Sequence, residues 1–498
     1  MLSLCVYASL ALGIVSNAQA AKVVYSVPPA VPASAAKLDP APLGASFEFF
    51  MWPSYMKNIT PPIQCMNHFK KLYGQKMPIR IGGTTQDRAT YDPNFKGYVS
   101  YSVEDPLDAP MELTYGPSFF DLIGNGKARK LGAETMLGFN RGDNNRTNTY
   151  EAIKMAKSKA LKYLSAIELG NEPDFYLLLW NKTVATCPWT EIEEGADAAN
   201  WAQGFIDTWK SPLPILSGGG YAVPFQIYPG WPNTDYLINT AYNQTIKDAT
   251  KMYCSHLYRD SNGTTLPNEM NHVNTVNDVA PLIRSVASAK SVGRNHILGE
   301  TNFHADDSTQ DRTFGAALLT LDRTLQSLSI GIQRLYFHQG TINQAYFNWW
   351  SDNQVNAPFY GAYMAGLALA DGDHVTASDA GTDSYAQYVI YRKGKPFKVV
   401  LINTDYYSGR GERTSATFKL TGLTKQTKLK AIRMSAPSSE VYTSRAQTKP
   451  ALEPTIGGQY FSNDNCAIRG SQKYENTEIL CGEATFTLLA SEAVLVYL

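Results

Sequence analysis

Residues 167 to 176 read IELGNEPDFY, an apolar strand-like run that stops at Gly170 and is followed at once by Asn171, Glu172 and Pro173. Similar short apolar or alternating runs recur along the chain. Including this one, SAIELGN (165–171), there are eight runs. The other seven are SFEFF (46–50), PIRIGG (78–83), ETMLGFN (134–140), PILSGGG (214–220), MYCSHLY (252–258), HILGETN (296–302) and RLYFHQG (334–340). The segments between them, such as TYEAIKMAKSKALKYL, have the three- and four-residue apolar spacing of helices. Eight such units, each of roughly 30 residues, predict an α/β fold, a (β/α)8 TIM barrel.

The composition of the chain changes after about residue 370, where SYAQYVIYR, PFKVVLINTD, TSATFKL, LKAIRM, ATFTLLA and AVLVYL are short, β-branched or aromatic runs. Turn-forming residues separate them, which is typical of an all-β sandwich. We therefore predict a signal peptide at 1–20, an extended Pro-rich arm at 21–43 that can also supply a strand of the β domain, a catalytic (β/α)8 barrel at 44–370 and a C-terminal β-sandwich at 371–498.

Two features indicate a secreted, extracellular protein. Residues 4 to 15 form an apolar run that precedes Ala18-Gln19-Ala20, a signal-peptidase pattern, and the alternative interpretation is a short membrane anchor. The anchor is disfavoured because the run is too short to span a bilayer. Candidate N-glycosylation sites begin at Asn58, Asn145, Asn181, Asn243 and Asn262. Lys plus Arg equals Asp plus Glu, at 44 each, so no global charge favours a nucleic acid or membrane partner.

Cysteine usage predicts a disulfide and no metal site. Removal of the signal peptide leaves an odd number of cysteines, at positions 65, 187, 254, 466 and 481, so at least one thiol is free or pairs between chains. We predict a bond between Cys466 and Cys481, which lie in one Gly-, Asn- and Ser-rich stretch. No Cys-x-x-Cys or His-rich cluster is present in the sequence, and we expect neither a metal nor another cofactor.

Two carboxylates stand at strand ends that should face one cleft. Glu172 follows the fourth predicted strand and Glu300 ends the seventh, and residues at the carboxyl ends of barrel strands line the active-site face. Glycoside hydrolysis needs such a pair, one carboxyl group to protonate the leaving oxygen and one carboxylate to attack or activate water. A single strand-end Glu is more often a salt-bridge or capping residue, so the pair carries the argument.

An ordered set of motifs runs across the barrel: IRIGGTTQD (79–87), IELGNEPDFY, CSHLYRDSNG (254–263), LGETNF and YFHQGTINQAYFNWW (336–350). This set resembles family 79 glycoside hydrolases, the β-glucuronidase and heparanase group, within the (β/α)8 retaining glycosidases. The resemblance implies that Glu172 is the acid/base and Glu300 the nucleophile, with their carboxyl groups about 5 to 5.5 Å apart. It also implies that Asn171 binds the sugar 2-hydroxyl group, although a turn residue is the plain alternative.

The remaining candidate substrate-binding residues come from the other strand ends. His256 and Tyr258 are two residues apart on the sixth strand and face the same side, where either can hold Glu300 ionised or serve only as core packing. Glu48 is assigned by the resemblance to sugar hydroxyls at the non-reducing end. Tyr346 is assigned to the sugar carboxylate. Arg80 is expected inside the barrel, paired with a carboxylate, because a buried guanidinium needs a partner.

The stretch from Phe303 to Asp307 replaces the Tyr-Gly-Gly-like stretch with which the family binds the sugar carboxylate. His304 can supply a donor there, or a cation at low pH. We therefore expect a retaining, exo-acting β-glucuronidase acting on glucuronic acid or its 4-O-methyl ether in polysaccharide or glycoprotein glycans. The alternatives are a retaining β-glycosidase for neutral sugars and a non-catalytic carbohydrate-binding protein on the same fold.

Overall fold

The structure is a computed structural model that describes residues 21–223, 228–259, 263–304, 307–344, 348–423 and 427–498. The predicted signal peptide and the predicted residues Asn262 and Tyr346 lie outside this part of the chain. The strands before residue 356 are, in chain order, β1 (Ala21–Ser26), β2 (Ala36–Lys37), β3 (Leu43–Glu48), β4 (Pro78–Gly82), β5 (Ala89–Tyr91), β6 (Val99–Tyr101), β7 (Leu113–Tyr115), β8 (Glu134–Phe139), β9 (Leu164–Leu169), β10 (Leu216–Tyr221), β11 (Thr250–Leu257), β12 (Asn295–Thr301), β13 (Leu335–Gln339), β14 (Trp350–Ser351) and β15 (Gln354–Val355).

Eight of these strands, β3, β4 and β8 to β13, form a closed parallel barrel in which β13 pairs with β3. The predicted (β/α)8 fold is confirmed, and each predicted strand overlaps one barrel strand. Side chains pack both inside the barrel and against the outer helices, so strands such as β3 and β4 are buried at every residue. The carboxyl ends of all eight strands therefore meet on one face.

Helices surround the barrel, and α5 covers most of TYEAIKMAKSKALKYL, the segment with helical spacing. α6 begins with a capping box, in which Thr190 and Glu193 satisfy each other's backbone amides. The helices are α1 (Trp52–Lys57), α2 (Pro61–Tyr73), α3 (Pro117–Gly124), α4 (Lys127–Leu131), α5 (Arg146–Ala160), α6 (Glu191–Trp209), α7 (Thr234–Tyr236), α8 (Gln244–Ala249), α9 (Leu266–Glu269), α10 (His272–Val279), α11 (Leu282–Ser291), α12 (Phe314–Ser329) and α13 (Pro358–Leu369).

The C-terminal region is all β, as predicted. Its strands are β16 (His374–Ala377), β17 (Tyr385–Arg392), β18 (Lys395–Asn403), β19 (Ser415–Thr421), β20 (Lys428–Ser435), β21 (Thr455–Ile456), β22 (Tyr460–Phe461), β23 (Ile468–Arg469), β24 (Glu475–Glu478), β25 (Ala484–Leu489) and β26 (Glu492–Tyr497). A large sheet of order β2-β16-β17-β18-β26-β20-β21, with β24 beside β20, packs on the sheet β1-β19-β25 through an apolar layer that includes Phe418, Phe486 and Leu401. The Pro-rich arm contributes β1 and β2, and we propose that the domain boundary lies just after Leu369, where α13 ends.

A buried ionic cluster joins the barrel to the sandwich. His272, at the start of α10, lies 2.9 Å from Asp322 of α12 and 3.0 Å from Asp379 of the sandwich. The hydroxyl group of Tyr388 donates a hydrogen bond of 2.6 Å to Asp322. Burial by itself would lower the pKa of His272, but the two carboxylates outweigh this and raise it to about 10. His272 is therefore a cation at neutral pH that holds the two domains together.

The predicted disulfide between Cys466 and Cys481 is wrong. Cys466 is bonded instead to Cys65 of α2, which precedes it by 401 residues. The backbone carbonyl of Cys466 also lies 2.7 Å from Nε2 of His68 on the same helix. The prediction relied on closeness in the chain. Cys466 lies between β22 and β23 and is buried against α2, whereas Cys481 is an exposed thiol in the turn between β24 and β25.

The four candidate glycosylation sites within the described residues, Asn58, Asn145, Asn181 and Asn243, are all exposed. Asn145 and Asn243 also cap α5 and α8 through their side-chain oxygens, which leaves their amide nitrogens uninvolved in the cap. None of the helices in the described ranges has the length and apolar character needed to cross a membrane.

Candidate active site

Four barrel strands bring titratable side chains to the carboxyl-end face. Glu172 follows β9, His256 belongs to β11, Glu300 to β12 and His338 to β13. All four side chains are nearly or fully buried. His256 is the direct register partner of Glu300 across the two neighbouring strands, just after a bulge in β12 where Gly299 has no register partner. Bulges redirect side chains near active sites, and here the bulge coincides with the histidine that faces the carboxylates.

Glu172 stands on a strained turn. Its φ of 50° and ψ of 56° place a non-glycine residue in the left-handed region, two residues after Gly170 at φ 83°. The amide of Glu172 donates a hydrogen bond of 3.0 Å to the carbonyl of Gly220, at the end of β10. Such a conformation persists only where the surrounding structure imposes it, and it is concentrated at functional sites.

The side chains of Glu172 and Glu300 lie next to each other. Nδ1 of His256 is 3.0 Å from Oε1 of Glu172 and 3.3 Å from Oε2 of Glu300. One carboxylate oxygen of Glu172, one of Glu300 and one ring nitrogen of His256 all lie within 4.8 Å of one another. Burial lowers the pKa of His256 to about 4, so the imidazole is neutral. Because an ionised carboxylate only accepts, the proton of this imidazole belongs on Nδ1.

The two carboxyl groups have opposite pKa shifts. Burial, followed by the charge of Glu300, raises the pKa of Glu172 to about 8. Burial would raise the pKa of Glu300 too, but His338, then His256 and Arg80, outweigh it and hold that pKa well below its usual range. At neutral pH Glu172 therefore carries a proton and Glu300 is ionised. A proton donor and a nucleophilic carboxylate stand side by side.

Arg80 pairs with carboxylates inside the barrel, as expected from the sequence. Its guanidinium makes two hydrogen bonds to Glu168, of 2.6 and 2.8 Å, and Nη1 lies 3.0 Å from Oε1 of Glu300. Nη2 also donates to Oδ1 of Asn171 at 2.9 Å. One rigid fork therefore orients both Glu300 and Asn171. The side-chain nitrogen of Asn171 is buried and has no acceptor among the described residues, so it is available to a hydroxyl group.

His338 and Glu48 extend the charged row beyond Glu300. Nδ1 of His338 lies 2.9 Å from Oε1 of Glu300, and Nε2 lies 3.0 Å from Oε2 of Glu48. Burial by itself would lower the pKa of His338, but the two carboxylates raise it to about 9. The other oxygen of Glu48 accepts hydrogen bonds from the amide and hydroxyl groups of Thr85, at 2.9 and 2.5 Å. A Cβ atom on Gly83 would lie 2.4 Å from the Glu48 carboxylate, so glycine is required there.

The predicted residues of the sixth and seventh strand ends lie together. The rings of Tyr258 and His304 are 6.3 Å apart and nearly perpendicular. Burial, then the charges of Glu300 and Glu172, raise the pKa of Tyr258 well above its usual range, so Tyr258 feels both carboxylates, and His304 lies beside its ring. The carboxylate of Asp307 accepts hydrogen bonds from the amide and hydroxyl groups of Thr309, in the turn that it caps. Asp306 and Tyr346 lie outside the described residues.

The sequence analysis missed His338 and Thr85 as site residues. Both stand in motifs that were recognised, YFHQG and IRIGGTTQD, and His338 lies on the eighth strand, where the strand-end rule applies as it does to Glu300. The rule identifies candidates, but the choice among His338, Gln339 and their neighbours depends on which side chain points into the barrel.

A single cation could be coordinated by one atom each from Glu172, His256 and Glu300. The positive charges of Arg80 and His338 beside Glu300 oppose the binding of a metal ion there. The cluster is better suited to proton transfer and nucleophilic attack, which its own charges already support.

Comparison with known proteins identifies the family. A profile described as Glycosyl hydrolase family 79 C-terminal beta domain matches residues 387–495. A β-glucuronidase of Aspergillus niger is 30% identical over 388 residues, covering 72% of this chain and 70% of the relative. The chain belongs to glycoside hydrolase family 79. It is thus a glycoside hydrolase, and the resemblance noted in the sequence is confirmed.

Two further relatives cover more of this family 79 chain. A β-glucuronidase of Neurospora crassa is 27% identical over 435 residues, 76% of each protein. A crystal structure of a 4-O-α-L-rhamnosyl-β-D-glucuronidase from Fusarium oxysporum 12S, in complex with Rha-GlcA, is 37% identical with a TM-score of 0.87. The match covers 96% of this chain and 100% of the Fusarium chain, so both the barrel and the sandwich have counterparts in one solved relative.

Proposed function

We propose that this protein is a secreted, retaining, exo-acting β-glucuronidase that releases terminal glucuronic acid, including glucuronic acid substituted at O4, from polysaccharide or glycoprotein glycans. The observation that carries the proposal is the buried pair Glu172 and Glu300, with the pKa of one raised to about 8 and that of the other held well below its usual range. A general acid and a nucleophile at one sugar are what a double displacement needs.

In the first step, Glu172 gives its proton to the glycosidic oxygen while a carboxylate oxygen of Glu300 attacks the anomeric carbon. The bond from that carbon to the leaving oxygen breaks as the bond to Glu300 forms, which leaves a covalent glycosyl-enzyme and a carboxylate at Glu172. The closeness of the pair to one His256 nitrogen, 3.0 and 3.3 Å, supports retention. Inverting enzymes hold their carboxyl groups about 6.5–9.5 Å apart, which leaves room for a water molecule.

In the second step, the Glu172 carboxylate takes a proton from a water molecule, whose oxygen attacks the same carbon and displaces Glu300. Net retention at the anomeric carbon follows from two displacements. Asn171, oriented by Arg80, would donate its free side-chain N–H to the 2-hydroxyl group, a contact that strengthens in the oxocarbenium-like transition state.

The substrate class is supported by the relatives. Two of them are β-glucuronidases, and the Fusarium protein is described as acting on glucuronic acid that carries rhamnose at O4. Within the site, His304 beside Tyr258 is proposed as a donor for the sugar carboxylate. The Asp307 carboxylate is exposed and hydrogen-bonded to Thr309, so solvent weakens its repulsion of the substrate. On the family resemblance, Tyr346 is assigned to the same carboxylate.

Glu48 is proposed to bind hydroxyl groups at the non-reducing end. Its ion pair with His338 fixes the Glu48 carboxylate beside the nucleophile, so a sugar in the pocket meets a preorganised acceptor. With Glu48 at the terminal sugar the site would be closed at that end, which supports exo action over cleavage within a chain.

The alternatives differ in measurable ways. A β-glycosidase for neutral sugars would keep the mechanism and change only the sugar pocket. A non-catalytic carbohydrate-binding protein would have no need for two carboxyl groups with opposite pKa shifts.

The test is hydrolysis of aryl β-glycosides by the purified protein at mildly acidic pH, with the glucuronide, 4-O-methylglucuronide and 4-O-rhamnosylglucuronide beside the glucoside, xyloside and galactoside. Preferential release from one of the three glucuronides is expected. Glu300→Gln should abolish turnover with the fold intact, while Glu478→Gln, a change at an exposed carboxylate of the sandwich, should leave it unaltered. Faster cleavage of a neutral glycoside would refute the substrate assignment, and sugar binding without turnover by the unaltered protein would refute the enzyme.

A further inference from the structure

A buried carboxylate that does not touch the proposed catalytic pair lies directly behind it. Asp87, at the end of the motif IRIGGTTQD, is 1% exposed. Its Oδ1 accepts hydrogen bonds from the backbone amides of Arg141 and Gly142, at 2.8 and 3.0 Å. Its Oδ2 accepts from the amide of Asn171 and the hydroxyl group of Tyr176, each at 2.7 Å. One side chain thus receives four donors from two loops.

These bonds join three strand ends. Asp87 follows β4, its first two donors follow β8, and the other two belong to the turn after β9 that carries Glu172. Asn171 is the residue immediately before Glu172, and consecutive Cα atoms are held about 3.8 Å apart. A shift of the Asn171 amide would therefore move the backbone of Glu172 with it.

Tyr176 closes the same turn from behind. A Cβ atom on Gly170 would lie 2.1 Å from the Tyr176 hydroxyl oxygen, so the hydroxyl group packs directly on the glycine backbone. Asp87 holds that hydroxyl group in place. The left-handed conformations of Gly170 and Glu172 are then enclosed between Asp87 and Tyr176, which gives a physical cause for the strained geometry at Glu172.

The other side of the turn is held independently. The amide of Glu172 donates to the carbonyl of Gly220, and Asp174 accepts from the amides of Ala222 and Val223 at 2.9 and 3.0 Å. These contacts reach β10 and the residues after it, and none of them involves the Asn171 amide. Loss of Asp87 would free one side of the turn while the other stays attached, so we expect displacement of the Glu172 side chain and not unfolding of the loop.

We propose that Asp87 is a positioning residue for the general acid: by fixing the Asn171–Glu172 turn against β4 and β8, it directs the Glu172 carboxyl group at the leaving oxygen. The inference deepens the proposed function, because it rests on Glu172 acting as the acid. Among the described residues Asp87 makes no hydrogen bond or ion pair with Glu300, and the Asn171 side chain stays bonded to Arg80, so the main effect should fall on proton donation. A residue with only a structural role would lower all activities together.

Leaving groups separate these two cases. Cleavage of 2,4-dinitrophenyl β-glucuronide needs little protonation, whereas cleavage of phenyl β-glucuronide depends on the acid. For Asp87→Asn we expect kcat/KM on the phenyl substrate to fall at least about 30-fold and on the dinitrophenyl substrate less than about threefold, since a displacement of about 1 Å can cost a factor of about 100. Active sites are counted by covalent labelling with a 2-fluoroglucuronide.

Three further variants make each outcome decisive. Glu172→Gln must show the same selective loss, and Asp121→Asn, at a partly exposed pair with Lys159 outside these loops, should show none. Tyr176→Phe removes one donor while keeping the ring, and should lower phenyl glucuronide cleavage about 3- to 10-fold, within the range expected for loss of an ordinary hydrogen bond. Tyr176→Phe tests the positioning role of Asp87 if Asp87→Asn does not fold.

Equal losses on both substrates in Asp87→Asn or Tyr176→Phe, after correction for active sites, would overturn the positioning role. If Glu172→Gln itself shows no dependence on the leaving group, the proposed catalytic role of Glu172 fails instead. If the unaltered protein prefers another sugar, the same pair of aryl leaving groups on that sugar tests Asp87 without change.

Discussion

Neutralising Glu300 should lower the pKa of Glu172 by two to three units. The pKa of Glu172 is raised to about 8 by burial and then by the charge of Glu300. In the proposed glycosyl-enzyme that charge disappears, because the carboxylate becomes an ester. Burial remains, so the pKa should stay above the ordinary value of a glutamate.

The size of the shift follows from the distance between the two groups. Their facing oxygens can be taken as no more than 4.8 Å apart. Two unit charges at this distance interact with about 3.5 kcal/mol at an effective dielectric constant of about 20. At about 1.36 kcal/mol per unit, this corresponds to about 2.5 units of pKa. Glu172 should therefore titrate at roughly 5.5 in the glycosyl-enzyme, against about 8 in the free enzyme.

Two pH profiles measure the two states. The kcat/KM for an aryl glucuronide with a poor leaving group requires protonated Glu172, so it should fall as pH rises through about 8. Reactivation of the enzyme labelled with a 2-fluoroglucuronide requires ionised Glu172 as the base, so its rate should rise through roughly 5.5 and then level off. Glu172→Gln serves as the control, because both pH dependences should vanish with the titrating group.

The result that would refute this reasoning is a reactivation midpoint within half a unit of the midpoint of the kcat/KM profile. The two carboxyl groups would then not be coupled, and burial alone would account for the raised pKa of Glu172.

Three other predictions concern the surroundings of the site and the joint between the domains. Arg80→Lys should lower kcat/KM about 100-fold, because an ammonium group cannot hold both carboxylates, Glu168 and Glu300, and the Asn171 amide at once. The acidic limb of the pH profile of kcat/KM should move to higher pH. His272 has a pKa raised to about 10, above its unfolded value, so its stabilisation is complete below about pH 6.5 and is lost as pH rises through 10. His272→Ala should therefore lower the free energy of unfolding by about 3–5 kcal/mol at pH 6, the cost of breaking a buried ion pair, and calorimetry should show the difference shrinking as pH rises through that window. Replacing both Cys65 and Cys466 by Ser should lower the free energy of unfolding by about 2–5 kcal/mol and the Tm with it, whereas Cys481→Ser should change neither. Equal effects of the two changes would contradict the pairing.

Much of the fold was accessible from local patterns. All eight predicted barrel strands overlap observed ones, because each was a short apolar run ended by Gly, Asn or a polar residue, and a helical segment followed it. The strand-end rule then selected Glu172 and Glu300 from the 44 acidic residues of the chain. Their catalytic roles stay a prediction, which the glycoside panel and the pH profiles test.

Contacts between distant parts of the chain were beyond these patterns. The disulfide prediction failed because Cys65 and Cys466 are 401 residues apart, and nothing in either neighbourhood indicates the other. For the same reason the sequence identified the motif that contains Asp87 without its four donors, which come from two other loops.

The sequence by itself determined the kind of element at each position, the order of the barrel strands and the family, since apolar periodicity and strand-end motifs are properties of short segments. Only the tertiary structure decided that Glu300 lies between Arg80 and His338 while Glu172 faces a neutral His256. That arrangement separates the two pKa values, and it depends on the register of neighbouring strands and on burial by the whole barrel. Charge interactions act over a few ångströms in space, whatever the distance along the chain.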